Sequence, residues 1–292
     1  MKYAWISKHK KVFPVVVMCR VLLVSTSGYY DSLKRRPCRQ FLRRRDITQA
    51  VAHSYFESYR IYGYRKVYQD LRDENVTCCQ ETVRRIMRRI GLYSCVRRKF
   101  VVTTDSDHAF KVADNLLRRD FTAKAPNQKW VADITYIPTK MGWLYLAVVM
   151  DLFSRKIVGW AMDKNIDSKL VQSAMKMAIE HRSPGKGLVH HSDRGVQYAA
   201  GDFQNLLTDN KIICSMSRKG NCWDNACAES FFSKLKSEWV KDKIYETYED
   251  GKKDIFKYIE MFYNRKRRHA SLGNVSPTAY EKMHELNQGR AA

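Results

Sequence analysis

The sequence predicts an α/β domain preceded by an all-α region. Two observations carry this. From Lys129 onward, apolar runs of strand length alternate with helix-length amphipathic stretches, whereas residues 1–93 hold only helical patterns and tight turns. The charge divides in the same way. Residues 1–100 hold 23 Lys and Arg against 7 Asp and Glu, a net +16, and the remaining 192 residues carry +7. A chain of 292 residues at +23 points to a polyanionic partner, nucleic acid above all. Its hydrophobic content of 45% supports a proper core and excludes a wholly disordered chain.

In order, Tyr3 to Lys11, Val15 to Leu23 and Tyr29 to Arg36 read as three short helices, with Ser25-Thr26-Ser27-Gly28 as a capped turn between the last two. Helix, tight turn and basic helix is the layout of a helix-turn-helix, and equally of a small helical packing unit. Residues 37–50 read as a basic connector around Arg43-Arg44-Arg45. A helix is expected from Tyr62-Gly63-Tyr64-Arg65-Lys66 to about Glu74, a turn at Asn75-Val76-Thr77, and a second helix from Gln80 to Ile90 closed by Gly91. In the second, Val83, Ile86, Met87 and Ile90 share one apolar face by their i, i+3, i+4, i+7 spacing. Arg84, Arg85, Arg88 and Arg89 fall opposite, suited to a DNA backbone or groove, or to plain solvation. Residues 94–128 read as a linker holding Arg97-Arg98-Lys99 and a polar stretch at 103–107, with the main boundary near 120.

Beyond it, strands are expected at Trp130 to Pro138, Trp143 to Met150, Lys156 to Met162, Gly187 to His191 and Ile212 to Met216. Helices are expected at Ser168 to His181, Gly201 to Asp209, and from near Asn225 onward. Three antiparallel-type strands, then helix, strand, helix, strand and helices, is the order of a ribonuclease-H-like fold with a mixed five-stranded sheet. No apolar run approaches a membrane span, because Cys19-Arg20 splits Val15–Met18 from Val21–Val24. Eight cysteines without a C-x-x-C pair suit a reducing cytosol and argue against a structural zinc site.

In that layout a strand's middle, a strand's end and a late helix converge, and they carry Asp133, Asp193 and Glu229. Three clustered carboxylates repel one another and so favour bound cations. Two divalent ions held by oxygen ligands stabilise the attacking and leaving oxygens of a phosphodiester. Lys236 lies seven residues after Glu229, about two helical turns, and so shares its face, where it can meet a phosphate. His190 and His191 suit substrate contact or a buried strand end. Asn225 suits DNA contact or, with Asp224, a helix cap. Asp151 suits a turn or salt-bridge role ahead of a fourth metal ligand, and Arg265-Lys266-Arg267-Arg268-His269 suits a DNA contact or a solvated helix end.

Several segments make the resemblance specific. They are Trp130-Val131-Ala132-Asp133-Ile134-Thr135-Tyr136, Asp151-Leu152-Phe153-Ser154-Arg155, His191-Ser192-Asp193-Arg194-Gly195 and Asp224-Asn225-Ala226-Cys227-Ala228-Glu229-Ser230. Phe262-Tyr263-Asn264-Arg265 and Ser276-Pro277-Thr278-Ala279-Tyr280 follow near the end. With them the chain resembles the DDE transposases of the retroviral-integrase-like superfamily, and more narrowly the second-reading-frame (OrfB) transposase of a bacterial insertion-sequence family. Ser27-Gly28-Tyr29-Tyr30 and Tyr62-Gly63-Tyr64-Arg65 resemble its amino-terminal half. Leu23 departs from it, standing where the family more often has Gly.

The resemblance implies four segments: a helical region at 1–50, a helix-turn-helix-like DNA-binding domain at 51–93, a basic linker at 94–122, and an integrase-like core with C-terminal helices at 123–285. It implies that Asp133, Asp193 and Glu229 are catalytic and bind two Mg²⁺, with Mn²⁺ a substitute. Water then frees a 3′-hydroxyl at the element end, and that hydroxyl attacks a second phosphodiester. Double-stranded DNA is the expected partner, contacted by Lys236, Asn225, Arg65, Lys66 and the four arginines at 84–89. A homo-oligomer on DNA, a first-frame (OrfA) partner or fusion, and a cytoplasmic, nucleoid-associated bacterial location are expected as well. A nuclease that cuts without joining, and a DNA-binding regulator using only the helical half, are the competing readings.

Overall fold

The computed structural model describes residues 1–34, 36–95, 113–117, 120–217, 225–241 and 243–289. Arg97-Arg98-Lys99, the polar stretch at 103–107, Trp223 and Asp224 lie outside the described residues.

Six helices come first: α1 (Lys2–His9), α2 (Val15–Val21), α3 (Thr26–Lys34), α4 (Arg39–Glu57), α5 (Tyr64–Asp73) and α6 (Gln80–Arg89). Two differ from expectation. The turn expected at 25–28 is instead the start of α3, because the Ser25 Oγ accepts the Gly28 N–H at 3.2 Å and opens the helix there. Gly28 is tolerated in the helix for a steric reason: a Cβ at that position would stand 2.5 Å from the Tyr3 hydroxyl. The connector expected at 37–50 is the first half of α4. Its buried stripe, Ile47, Val51, Ser54 and Tyr55, straddles residue 50, so a boundary drawn there hides the helical period.

The sheet has five strands: β1 (Lys129–Thr139), β2 (Gly142–Asp151), β3 (Ile157–Asp163), β4 (Val189–Ser192) and β5 (Ile213–Met216), in the order β3-β2-β1-β4-β5. β1 pairs antiparallel with β2, and β2 with β3, while β4 runs parallel to both β1 and β5. This is the ribonuclease-H-like arrangement. Between strands lie α7 (Ser168–Arg182), α8 (Val196–Ala199) and α9 (Gly201–Asp209), packed on the sheet face of Trp130, Ala132, Ala147 and Val149.

The opposite face, with Val131, Ile137, Leu146 and Val148, meets the C-terminal helices. These are α10 (Ala226–Lys234), which continues as a π-helix over Leu235–Val240, α11 (Tyr248–Phe256), which continues likewise over Lys257–Tyr263, and α12 (Pro277–Gly289). The core on this face runs on into α4, α5 and α6. Tyr59 packs on both Trp239 and Phe262, at ring separations of 4.7 and 5.5 Å. The helix-turn-helix-like helices are therefore seated directly on the C-terminal helices.

Arg267 and Arg268 of the basic cluster at 265–269 belong to that seam and are not a solvated helix end, while Arg265 and Lys266 stay exposed. Arg268 pairs with Asp70 and Asp73 of α5, Lys266 with Glu57 of α4, and Arg267 with Glu238. Arg265 lines a cavity with Lys156 and Arg182. The Tyr62 hydroxyl completes the join, donating to the Lys266 carbonyl and accepting the Arg268 N–H.

Candidate functional site

β1 and β4 are parallel neighbours in the register Val131↔His191. Continued by two residues, that register sets Asp133 level with Asp193, which follows the end of β4. Neighbouring strands lie roughly 5 Å apart, so two carboxylates are placed side by side. The Asp133 Oδ1 accepts the Ile134 N–H at 2.8 Å, and the Asp193 Oδ1 accepts the Gly195 N–H at 2.9 Å. Each carboxylate is thus fixed by its own backbone.

Burial, and then the charge of Asp193, hold the Asp133 carboxyl well above the usual range, with Glu229 adding to the effect and Lys236 opposing it. Glu229 sits in the first turn of α10 and is raised by burial alone. Asp133 is accordingly the member on which the other charges converge, and Glu229 is the outlying one. Among the described residues, no three His, Cys, Asp or Glu side chains are gathered as a ready-made ion cage. The donor chemistry fits a hard divalent cation all the same: these are carboxylate oxygens, mutually repulsive and short of counter-charge at Asp133.

Lys236 lies past the point where α10 widens into a π-helix, so a simple α-period no longer relates it to Glu229. Both side chains nevertheless act on Asp133. The Lys236 ammonium stands 4.3 Å from the centroid of the Tyr136 ring. Tyr136, part of the first quoted motif, went unremarked in sequence. Its only signal there is an aromatic residue three positions beyond an acid.

Other expected contacts sit differently. Asn225 is buried, 5% exposed, and its side-chain amide donates to the Ala132 carbonyl at 3.1 Å without capping the helix. It pins the start of α10 to the strand that carries Asp133. Lys66 turns toward the seam, 5.0 Å from the Tyr62 ring, and burial lowers its ammonium to about 8. Arg65 is exposed beside Tyr64. Arg84, Arg85, Arg88 and Arg89 are all exposed opposite buried Val83, Ile86 and Met87, while Ile90, just past the helix, is exposed. Arg84 and Arg85 both pair with Glu81.

His190 and His191 are fully buried. His191 shares hydrogen bonds with Ser215 and Ser217, and His190 lies among Tyr198 and Phe203. Asp151 accepts the Asn127 and Phe153 N–H groups and pairs with Arg182. It is a turn and salt-bridge residue. A cavity of about 650 Å³ lined by Lys156, Arg182, Asn264 and Arg265 lies away from the three acids. An open surface suits a long polymer better than a pocket does.

Two integrase core domain models match residues 123–222 and 210–277, and an HTH-like domain model matches residues 42–100. Transposase InsF for insertion sequence IS3A, from Escherichia coli strain K12, is 40% identical over 285 residues, covering 96% of this chain and 98% of that protein. The insertion element IS600 uncharacterized 31 kDa protein of Shigella sonnei is 40% identical over 272 residues, 92% of this chain and 99% of that one. Among solved structures, the simian T-cell lymphotropic virus intasome in complex with PP2A regulatory subunit B56 gamma aligns at 16% identity and a TM-score of 0.47, covering 78% of this chain and 73% of that chain. No described helix is long and apolar enough to cross a membrane.

Proposed function

This chain belongs to the InsF family of insertion-sequence transposases, and we propose from that premise that Asp133, Asp193 and Glu229 form its DDE centre for cutting and joining DNA. The enzyme is a transposase with an integrase-type core, a polynucleotidyl transferase. The observation that carries the reading is geometric: the β1–β4 register sets Asp133 beside Asp193, and Asn225 ties the start of the Glu229 helix to β1 at Ala132.

Asp133, Asp193 and Glu229 are the residues that would hold two Mg²⁺ ions, with Mn²⁺ a substitute. Such ions, when bound, stabilise the attacking and leaving oxygens of a phosphodiester. The chain's own groups do the rest. Backbone N–H groups orient the Asp133 and Asp193 carboxylates. Asn225 fixes the helix that presents Glu229. Lys236 supplies positive charge beside Asp133 and is free to leave the Tyr136 ring for a phosphate. A water attacks at the element end and releases a 3′-hydroxyl. That hydroxyl then attacks a second phosphodiester, expelling another 3′-oxygen, so the number of phosphodiester bonds is conserved in the joining step.

The basic helical half, with the exposed arginines of α6, grips duplex DNA, and joining two ends requires more than one copy of the chain. The reading is tested with an intact and a pre-cleaved end duplex, each with Mg²⁺. Joined products are expected from the wild type. Asp193→Asn should lose both cutting and joining while still binding DNA. Products that are cut and never joined would reduce the enzyme to a nuclease, and full activity in Asp193→Asn would remove the triad.

A further inference from the structure

Residues 1–34 build a small core of their own from Ile6, Met18, Cys19 and Tyr29, with Tyr3, Val15, Leu22 and Val24 packed against it. The HTH-like match begins only at residue 42. Yet the joint between α2 and α3 is made like the joint between α5 and α6. After α2, Leu23 takes a left-handed φ of 52°, and the Val24 N–H donates back to the Cys19 carbonyl at 2.9 Å. After α5, Asn75 takes a left-handed φ of 59°, and the Val76 N–H donates to the Leu71 carbonyl at 2.8 Å. In both joints a partly buried valine follows the left-handed residue. Only residues 22–25 separate α2 from α3, the tight spacing of a helix-turn-helix.

The outer face of α3 carries a mainly polar stripe, with Leu33 exposed beside it. Ser27, Tyr30, Asp31 and Lys34 are exposed at i, i+3, i+4, i+7 and form one stripe, while Tyr29 on the other side is 1% exposed. Residues 1–34 carry six Lys and Arg, Arg20 and Lys34 among them, against the single acid Asp31. That balance attracts a polyanion and repels a second copy of the same unit.

We propose that residues 1–34 are a second DNA-reading module, with α3 as the helix that enters the major groove of duplex DNA. Ser27 at the start of α3 and Asp31 one turn further along the same face suit base edges, a carboxylate accepting from the cytosine amino group. Lys34 and Arg20 suit the flanking phosphates. The chain then contacts its DNA at two separated blocks, one through α3 and one through α6. This goes beyond the catalytic reading and shares with it only the duplex as ligand.

The test is selection of the full chain, in chelator so that nothing is cut, against a pool of random-sequence duplexes. The wild type should enrich two sequence blocks. The variant Ser27→Ala/Tyr30→Ala/Lys34→Ala should lose one block, keep the other, and bind the wild-type site roughly 10- to 100-fold more weakly. Arg84→Ala/Arg85→Ala/Arg88→Ala should lose the other block instead. Asp31→Asn, which preserves shape, should alter base preference within the α3 block alone. The proposal is overturned if the triple α3 variant enriches the same sequences as the wild type. It is equally overturned if that variant weakens all sequences uniformly, or changes only self-association, with Asp31→Asn leaving preference unchanged. Because binding is read without cleavage, failure here leaves the triad reading untouched, and failure of the triad leaves this one standing.

Discussion

Glu238 and Arg267 form a two-pronged ion pair, with contacts of 2.7 and 2.5 Å, buried beneath the helix that carries Glu229 and Lys236. Their side chains are 7% and 4% exposed. The pair ties the π-helical extension of α10 to the C-terminal helices at the point where α4 and α5 dock. Removing one partner strands a buried charge, so Arg267→Ala should cost about 3–5 kcal/mol. The apolar pair Glu238→Leu/Arg267→Met should recover most of that. Urea denaturation of the three proteins checks it. A single variant as stable as the wild type would mean that the seam carries no such dependence.

Gly159 on β3 faces the backbone of α7. A Cβ there would stand 2.2 Å from the Ala174 carbonyl oxygen and 2.8 Å from the Ala178 nitrogen. Backbone cannot swing aside as a side chain can. Gly159→Ala should therefore push α7 off the sheet at a cost of about 1–3 kcal/mol or more. Gly185→Ala, with nothing within 4 Å, serves as the control and should change stability little. Thermal melts of the two variants distinguish the outcomes.

Much of this architecture was legible in the sequence because it rests on local period. The five strands, and α5 with α6, follow from apolar spacing over a few residues, and so does the placing of Asp133 within β1, Asp193 just past β4 and Glu229 in α10. What was missed depends on long-range partners. Arg267 and Arg268 look like any basic run until Glu238, Asp70 and Asp73, far away in the chain, are folded against them. Asn225 looks surface-bound until the Ala132 carbonyl meets it. Lys66 has no sign in its neighbours that it turns inward to Tyr62. The α-period linking Glu229 to Lys236 failed at Leu235 because the hydrogen-bond ladder changes there, which composition does not announce.

Leu23 occupies a left-handed turn while 86% exposed, so its side chain gains little from packing and strains its backbone. A glycine at this position would relieve that strain. Leu23→Gly should stabilise residues 1–34 by about 1 kcal/mol. Amide hydrogen exchange at Val24 and Tyr29 is the local readout, slowing in the variant. Faster exchange would show that the leucine is held by a contact of its own.

Acid should unfold the protein through its buried histidines. Burial lowers His190 to about 3 and His269 to about 2, against an ordinary value of 6.5. Between those limits the unfolded chain binds more protons than the folded one, so stability is full above pH 6.5 and falls as pH drops below it. Each histidine contributes a slope of up to about 1.4 kcal/mol per pH unit. Among the described residues, neither ring nitrogen of His190 has a hydrogen-bond partner. His190→Leu should therefore flatten the stability profile below pH 6 without loss at pH 8. Chemical denaturation across that range measures it, and an unchanged slope would assign the acid sensitivity elsewhere.

Asp133 is the place where function and stability oppose each other. Its carboxylate is buried and crowded by Asp193 and Glu229, against which stand the Ile134 N–H and the more distant charge of Lys236, so its charge is a burden on the protein without a cation. Asp133→Asn removes that charge and keeps the shape. In chelator the variant should melt above the wild type. Added Mg²⁺ should raise the wild-type melting temperature by mass action and leave the variant nearly unmoved. Cleavage of an element-end duplex should be lost in the variant while DNA binding is kept. If the asparagine variant melts lower in chelator, or gains as much from Mg²⁺ as the wild type does, the like charges at Asp133 are balanced by something other than a bound cation.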